Sequence, residues 1–152
     1  GLRDTGVDDG SQVIERYASG YDLDDDGLRR PQFIHAALAA SAGGVWSTVR
    51  DLYLWDRALY GDTVLSEAAR EEMFTPGLGG AGFGWFIEEV KAGNEPRTMI
   101  HHPGQGDGFW SAMYRFPQDR AVIILINNHG RTDLNAMVDG ILEVMYGPNS
   151  AR

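Results

Sequence analysis

The sequence predicts an α+β domain: helices first, then an antiparallel sheet, then one helix folded back onto that sheet. Three observations predict it. Apolar residues recur at helical spacing from Val49 to Leu59, switch to a period of two after Gly82, and return to helical spacing from Leu134 to Met145. Pro117-Gln118-Asp119 is a turn by composition between two apolar runs, which makes those runs an antiparallel hairpin. Ala121 to Ile126 is apolar on both faces, so this strand should be covered from both sides.

The elements follow in order. The first 35 residues are turn-rich and acidic, with Val13–Tyr17 and Ser19–Tyr21 open to either short strands or irregular structure. Asp22-Leu23-Asp24-Asp25-Asp26-Gly27 reads as a turn, because Asp and Gly tolerate left-handed backbone and bond nearby amides. Ala36–Gly44 is rich in small residues, which suits close backbone approach. Thr48 and Asp51 then fit a capping box, Val49, Leu52, Trp55 and Leu59 form one apolar stripe, and Gly61 stops the helix. A second short helix starts at Ser66 as N-cap and ends before Pro76. Gly77–Gly82 is a flexible connection to strands over Phe83–Val90, Arg97–His102, Phe109–Phe116 and Arg120–Asn127. The closing helix places Leu134, Met137, Val138, Ile141, Leu142 and Met145 on one stripe, with Thr132 as its expected N-cap. The whole reads as one segment: loops and helices over 1–76, strands over 77–130 and the last helix over 131–147, with no internal repeat.

Composition removes several functions. The 152 residues carry 22 acidic against 13 basic side chains, a net charge of −9, and the basic ones form no cluster. A duplex-binding surface needs such a cluster to displace counterions, so no nucleic-acid partner is expected. No apolar run approaches the roughly 20 residues of a membrane helix, and no targeting segment opens the chain. With zero cysteine, disulfides and thiolate metal sites are excluded, while the compartment stays open.

Candidate chemistry is sparse. Asp22, Asp24, Asp26 and Gly27 fall at positions 1, 3, 5 and 6 of a calcium loop, but position 12 is Phe33 and position 8 is Arg29, so a solvated acidic turn is the better reading. The histidines are His35, His101, His102 and His129. Adjacent His101 and His102 point to opposite strand faces and cannot easily share one ion, so no metal site is expected. The most informative stretch is Ile100-His101-His102-Pro103-Gly104-Gln105-Gly106-Asp107-Gly108-Phe109, read as one strand, a Gly-rich bend and the start of the next.

Around that stretch the chain resembles the C-terminal part of the serine β-lactamase and penicillin-binding-protein-like hydrolases, in particular the class C β-lactamase and esterase branch. The matching pieces keep the family's order: Asp4-Thr5-Gly6; Ala42-Gly43-Gly44 with Ser47-Thr48-Val49-Arg50-Asp51-Leu52; Gly82-Phe83-Gly84-Trp85; His102-Pro103-Gly104 at the Lys/His-x-Gly position; and Phe116-Pro117 with Ile124-Leu125-Ile126-Asn127. The resemblance implies an incomplete β-lactamase/transpeptidase-like fold and acyl-enzyme hydrolysis of a β-lactam, ester or D-amino-acid peptide. It implies a Ser-x-x-Lys nucleophile, an assisting Tyr-x-Asn and no cofactor. His102 and Gly104 would lie on the substrate-lining strand, and the N–H of Gln105 would be an oxyanion donor. Asn127 would sit at the site margin, although its residue-level reading is a strand end capping a turn.

The departures matter as much. The single lysine, Lys91, has Glu88 three residues before it, and no tyrosine is followed two residues on by asparagine. No catalytic residue is therefore expected within this chain. It reads as the C-terminal piece of a longer enzyme whose nucleophile lies upstream, inactive by itself. A non-catalytic binding or self-association module of the same fold is the other reading. Pro103 stands where many relatives carry Thr and offers no donor to a substrate carboxylate. A small-molecule or peptide substrate is expected in the parent. Without the upstream strands, an open edge along 120–127 should pair with another copy or swap domains. The resemblance fits a periplasmic or extracellular setting, and the composition is equally compatible with the cytoplasm.

Overall fold

The computed structural model describes residues 1–32, 43–106, 108–130, 132–148 and 150. The small-residue stretch before Gly43, with His35, Phe33 and Asp107, lies outside the described residues. Two short antiparallel ribbons come first: β1 (Gly6–Val7) with β4 (Val45–Trp46), and β2 (Asp22–Asp24) with β3 (Gly27–Arg29). Helices α1 (Val49–Ala58) and α2 (Glu67–Met73) lead into a four-stranded antiparallel sheet, β5 (Phe86–Ala92), β6 (Glu95–Gly106), β7 (Phe109–Phe116) and β8 (Ala121–Asn127), in sequence order. Helix α3 (Leu134–Tyr146) closes the chain.

The sheet has two differently built faces. On one, Leu134, Val138 and Leu142 of α3 meet Val90, Met99, Ala112, Tyr114, Phe116 and Ile123 in the hydrophobic core. Alternation along β7 sends Met113 and Arg115 to the other face. There Arg115, 1% exposed, donates from Nε to Asp56 of α1 at 2.6 Å. Asp56 also pairs with Arg57, and the rings of Tyr60, Phe74 and Trp85 surround the Arg115 guanidinium. A buried charge needs this density of partners to remain ionised.

Several sequence expectations are corrected here. The expected stripe of α1 starts with Val49, which is half exposed, whereas Asp51 and Asp56 are buried alongside Leu59. Thr48 does cap α1, accepting from the Asp51 amide at 3.2 Å, but the Asp51 carboxylate does not return to the helix start. It accepts instead from the Arg3 amide (2.9 Å), the Asp4 amide (2.7 Å) and the Thr5 hydroxyl (2.8 Å). Helix α3 is capped by Asp133, not Thr132, because the carboxylate is the group that reaches the Ala136 amide; Thr132 bonds the His129 ring. Met137 and Met145 are exposed rather than part of the packed stripe. The residues from Val13 to Gly20 form no strand, and Tyr21 makes a single bridge to His129. The acidic turn is the tip of the β2–β3 hairpin, where Arg29 pairs with Asp24 at 3.2 Å and faces Asp22 at 3.9 Å. The residue that broke the calcium pattern thus neutralises the carboxylates that would have bound the ion. No helix among the described residues is long and apolar enough to cross a membrane.

Candidate active site

The Gly-rich stretch is not a bend. Strand β6 continues through it to Gly106, and Gly106 pairs with Phe109, leaving a turn of only two residues. Asp107-Gly108 is a strong two-residue hairpin signal, and Gly108 has the positive φ (75°) that such a turn demands. A side chain at Gly108 would also collide with the backbone of Tyr21, which packs under the turn.

This extension creates an unpaired edge. Strand β5 begins at Phe86, opposite His101, so residues 102–106 have β7 on one side and, among the described residues, no strand on the other. A pair closing a two-residue turn exchanges both hydrogen bonds, so Gly106, and by alternation Gly104 and His102, turn their backbone groups toward β7. Pro103 and Gln105 turn theirs to the open side. The prolines agree with this parity. Pro103 would send its missing N–H to the open edge, and Pro96 toward the β7 side before that pairing begins at Ile100. Gln105 therefore presents an N–H and a C=O on the open edge, and Pro103 a C=O. His102, Pro103, Gln105 and Gly106 are all exposed.

The two neighbouring histidines separate cleanly. His101 is held: its ring stacks on Tyr114 at 5.1 Å and its Nε2 lies 3.4 Å from Glu88. His102 is exposed, stacked on Phe86 at 5.8 Å, with Nδ1 2.7 Å from the Pro103 carbonyl. A carbonyl only accepts, so Nδ1 carries the proton. Gly104 faces Ser111 so closely that any side chain there would strike the Ser111 hydroxyl.

Beside this edge lies a cavity of about 380 Å³, lined among others by Pro103, Gly104 and Gln105 of β6, Trp110 and Tyr114 of β7, and Asp133 before α3. Two of the four site residues expected from sequence, Gly104 and Gln105, therefore share one cavity; His102 is next to it on the strand but outside its lining. Asn127 is committed elsewhere, donating to the His129 carbonyl (2.9 Å) and accepting from its amide (3.1 Å), the turn-capping role that its strand-end position suggests. Trp110 and Asp133 were not singled out from sequence. Their signal is register: Trp110 lies opposite Gln105, and Asp133 is the cap at which α3 returns to the sheet. No group of residues suited to holding a metal occurs among the described residues.

Comparison with known proteins now bears on this geometry. The family model of β-lactamase matches residues 1–144. The chain belongs to the β-lactamase family. Penicillin-binding protein 4* of Bacillus subtilis (strain 168) is 28% identical over 130 residues, which cover 76% of this chain and 28% of that protein. The crystal structure of D-amino acid amidase from Ochrobactrum anthropi SV3, complexed with D-phenylalanine, superposes with a TM-score of 0.71 at 28% identity. That match covers 95% of this chain and 50% of the amidase. The chain thus spans about half or less of the β-lactamase-family relatives it matches, and its hydrolase-like fold, α+β with an antiparallel sheet, is theirs.

Proposed function

We propose that this chain is the C-terminal part of a serine hydrolase that works through an acyl-enzyme, and that it supplies the strand along which the substrate lies. The carrying observation is the open edge at 102–106, where Gln105 offers its N–H beside a cavity. In this reading the Gln105 N–H binds the oxyanion of the tetrahedral intermediate, together with the N–H of a nucleophile contributed by upstream residues. Gly104 keeps the strand flat against the substrate, and His102 is a polar partner at its end. The Ser-x-x-Lys and Tyr-x-Asn groups, absent here, belong to the preceding polypeptide, so the chain alone does not acylate. The test joins this chain to the polypeptide that precedes Gly1 and assays a chromogenic cephalosporin, a short-chain ester and a D-amino-acid amide. Turnover of any one, with a covalent fluorophosphonate or penicillin adduct, supports the reading. Failure of all three with no adduct would falsify it.

The second edge of the sheet carries a related proposal. Among the described residues strand β8 pairs only with β7, and Ile126 on it is 42% exposed. In the longer protein upstream strands complete this edge; in the isolated chain a second copy takes their place. Light scattering at millimolar concentration should then give more than the 16.7 kDa of one chain.

A further inference from the structure

We propose, resting on the reading of 102–106 as the substrate strand, that this edge holds one extended residue of a substrate and rejects a longer strand, and that Phe86 sets the limit. Backbone groups alternate along a strand, so only every second residue addresses one side. On the open side of β6 those residues are His101, Pro103 and Gln105. His101 spends its pair on Phe86, its partner in β5. Pro103 has no N–H, and its carbonyl already accepts from His102 Nδ1 at 2.7 Å. Gln105 is therefore the one residue of this edge that can exchange both an N–H and a C=O bond with a chain laid alongside. Just beyond it the strand ends at Gly106, and the turn to Phe109 follows.

The other end of the edge is walled. His101 and His102 point to opposite faces of β6, while the Phe86 ring lies 5.5 Å from the first and stacks on the second at 5.8 Å. A ring that reaches both stands across the edge itself, beside His102. The backbone explains why a ring stands there and not more strand. Just before Phe86 the chain reverses: the Gly82 amide donates to the Trp85 carbonyl at 2.8 Å, Gly84 has a positive φ (77°), and Phe86 bridges Ala81. Strand β5 cannot extend along β6 past this turn, and its first side chain, 41% exposed, is left at the mouth of the open segment. From His102 to Gly106 the strand advances about 13 Å, four steps of roughly 3.3 Å. A chain that pairs with Gln105 and runs on toward His102 finds no donor at Pro103 and then meets the Phe86 ring.

The test compares two uncharged ligands that differ only in length: N-acetyl-D-phenylalanine N-methylamide, which carries one residue, and the same molecule lengthened by one glycine on each side. Each is titrated into the chain while the backbone amide resonances of Gln105 and Gly106 are followed by NMR. An edge that paired along its whole length would bind the longer ligand at least about threefold more tightly, the scale of one net hydrogen bond. The expected result is that lengthening brings no such gain. Phe86→Ala, which removes the ring, and Pro103→Ala, which restores an N–H, should each shift the ratio of the two dissociation constants by about threefold or more toward the longer ligand. Three results would overturn the proposal: a gain of about threefold or more on lengthening in the unmodified chain, a ratio unmoved by both substitutions, or no response to either ligand at tens of millimolar. The readout needs no catalytic serine, so it is separate from the acylation test above. Failure here beside successful acylation removes the length limit and keeps the hydrolase reading, whereas a joined protein that forms no adduct removes the hydrolase reading itself.

Discussion

Strand β6 is two strands in one. From Glu95 to His101 it has β5 on one side and, from Ile100 onward, β7 on the other. Met99 and Ile100 are buried, and His101 is held between Phe86 and Tyr114. From His102 to Gly106 the β5 side is open among the described residues, the side chains are small or exposed, and the N–H and C=O of Gln105 face that open side. In the first half every residue stands opposite a residue of β5. The second leaves backbone groups unpaired in an ordered strand, where a substrate can bond them with little further ordering. The difference teaches that the proposed site is a place where pairing to β5 stops while the strand itself continues. Neither half depends on a catalytic side chain in this chain.

The largest effect should come from breaking the ion pair buried against the sheet, between Asp56 of α1 and Arg115 of β7. Asp56 is fully buried and Arg115 nearly so. Asp56→Ala leaves a buried guanidinium with only aromatic faces, and should lower stability by about 3–5 kcal/mol, measured by denaturant titration. Replacing both partners, Asp56→Leu with Arg115→Met, should recover most of that loss, because an apolar pair of similar volume needs no desolvation of charge. If the double variant were no better than the single one, the pair would be contributing more than mutual neutralisation.

The next prediction sets the two sides of the open half against each other. Gln105→Pro removes an N–H that points away from β7, and should change stability by less than about 1 kcal/mol, as for proline on a free edge. In the acylating protein it should cost about 100- to 1,000-fold in kcat, the usual loss of one oxyanion donor. Gly104→Pro removes an N–H that points into the ladder and adds a ring against Ser111, and should destabilise by about 1–3 kcal/mol or more. Thermal melts of the two variants decide the parity: a larger loss at Gln105 than at Gly104 would reverse the assignment. Smaller again is the effect at the far edge, where Ile126→Lys should bring the scattering mass toward that of a single chain, with little change in melting temperature.

How much of this was legible in the sequence differs by region. Periodicity located α1, β7, β8 and α3, and the Ser66 cap with Pro76 located α2, although α2 buries no residue and β8 buries only Ile123. The extent of β6 was misread because Pro103, Gly104 and Gly106 lower strand propensity individually, while Asp107-Gly108 was the true turn signal. Polar burial escaped entirely. Asp51 and Asp56 look like solvated positions on an amphipathic helix, and their partners lie 46–48 and 59 residues away, distances that no local pattern reports. Within the expected site, the family order brought out Gly104 and Gln105, which share the cavity. Asn127 bonds the backbone of His129, an engagement that depends on turn geometry. Trp110 and Asp133 become visible only once the register is known.

The smallest prediction concerns the clamp at the other end of the molecule, which contrasts with the open edge because here donors are over-supplied to one oxygen. Burial works against the Asp51 charge, but the Thr5 hydroxyl, the Asp4 and Arg3 amides and the Arg50 charge outweigh it and hold the carboxyl below its usual range. A carboxyl depressed by folding adds stability above its unfolded value of about 3.9, and that stability is lost as pH falls from there through the lower folded value. Asp119 behaves in the same sense, depressed chiefly by its hydrogen bond from Arg97. Asp51→Asn keeps the shape and removes the titration. Its melting temperature should be lower than that of the parent sequence at pH 6, and the difference should shrink as pH falls below the unfolded value of about 3.9 and on through the lower folded one. Asp119→Asn should leave the Asp51 contribution in place and preserve most of the acid sensitivity. Melting curves of the three proteins across that range check it: a difference between Asp51→Asn and the unmodified chain that stayed constant with pH would mean that the clamp depends on shape alone, and that the charge on Asp51 adds nothing to holding residues 3–5 against α1.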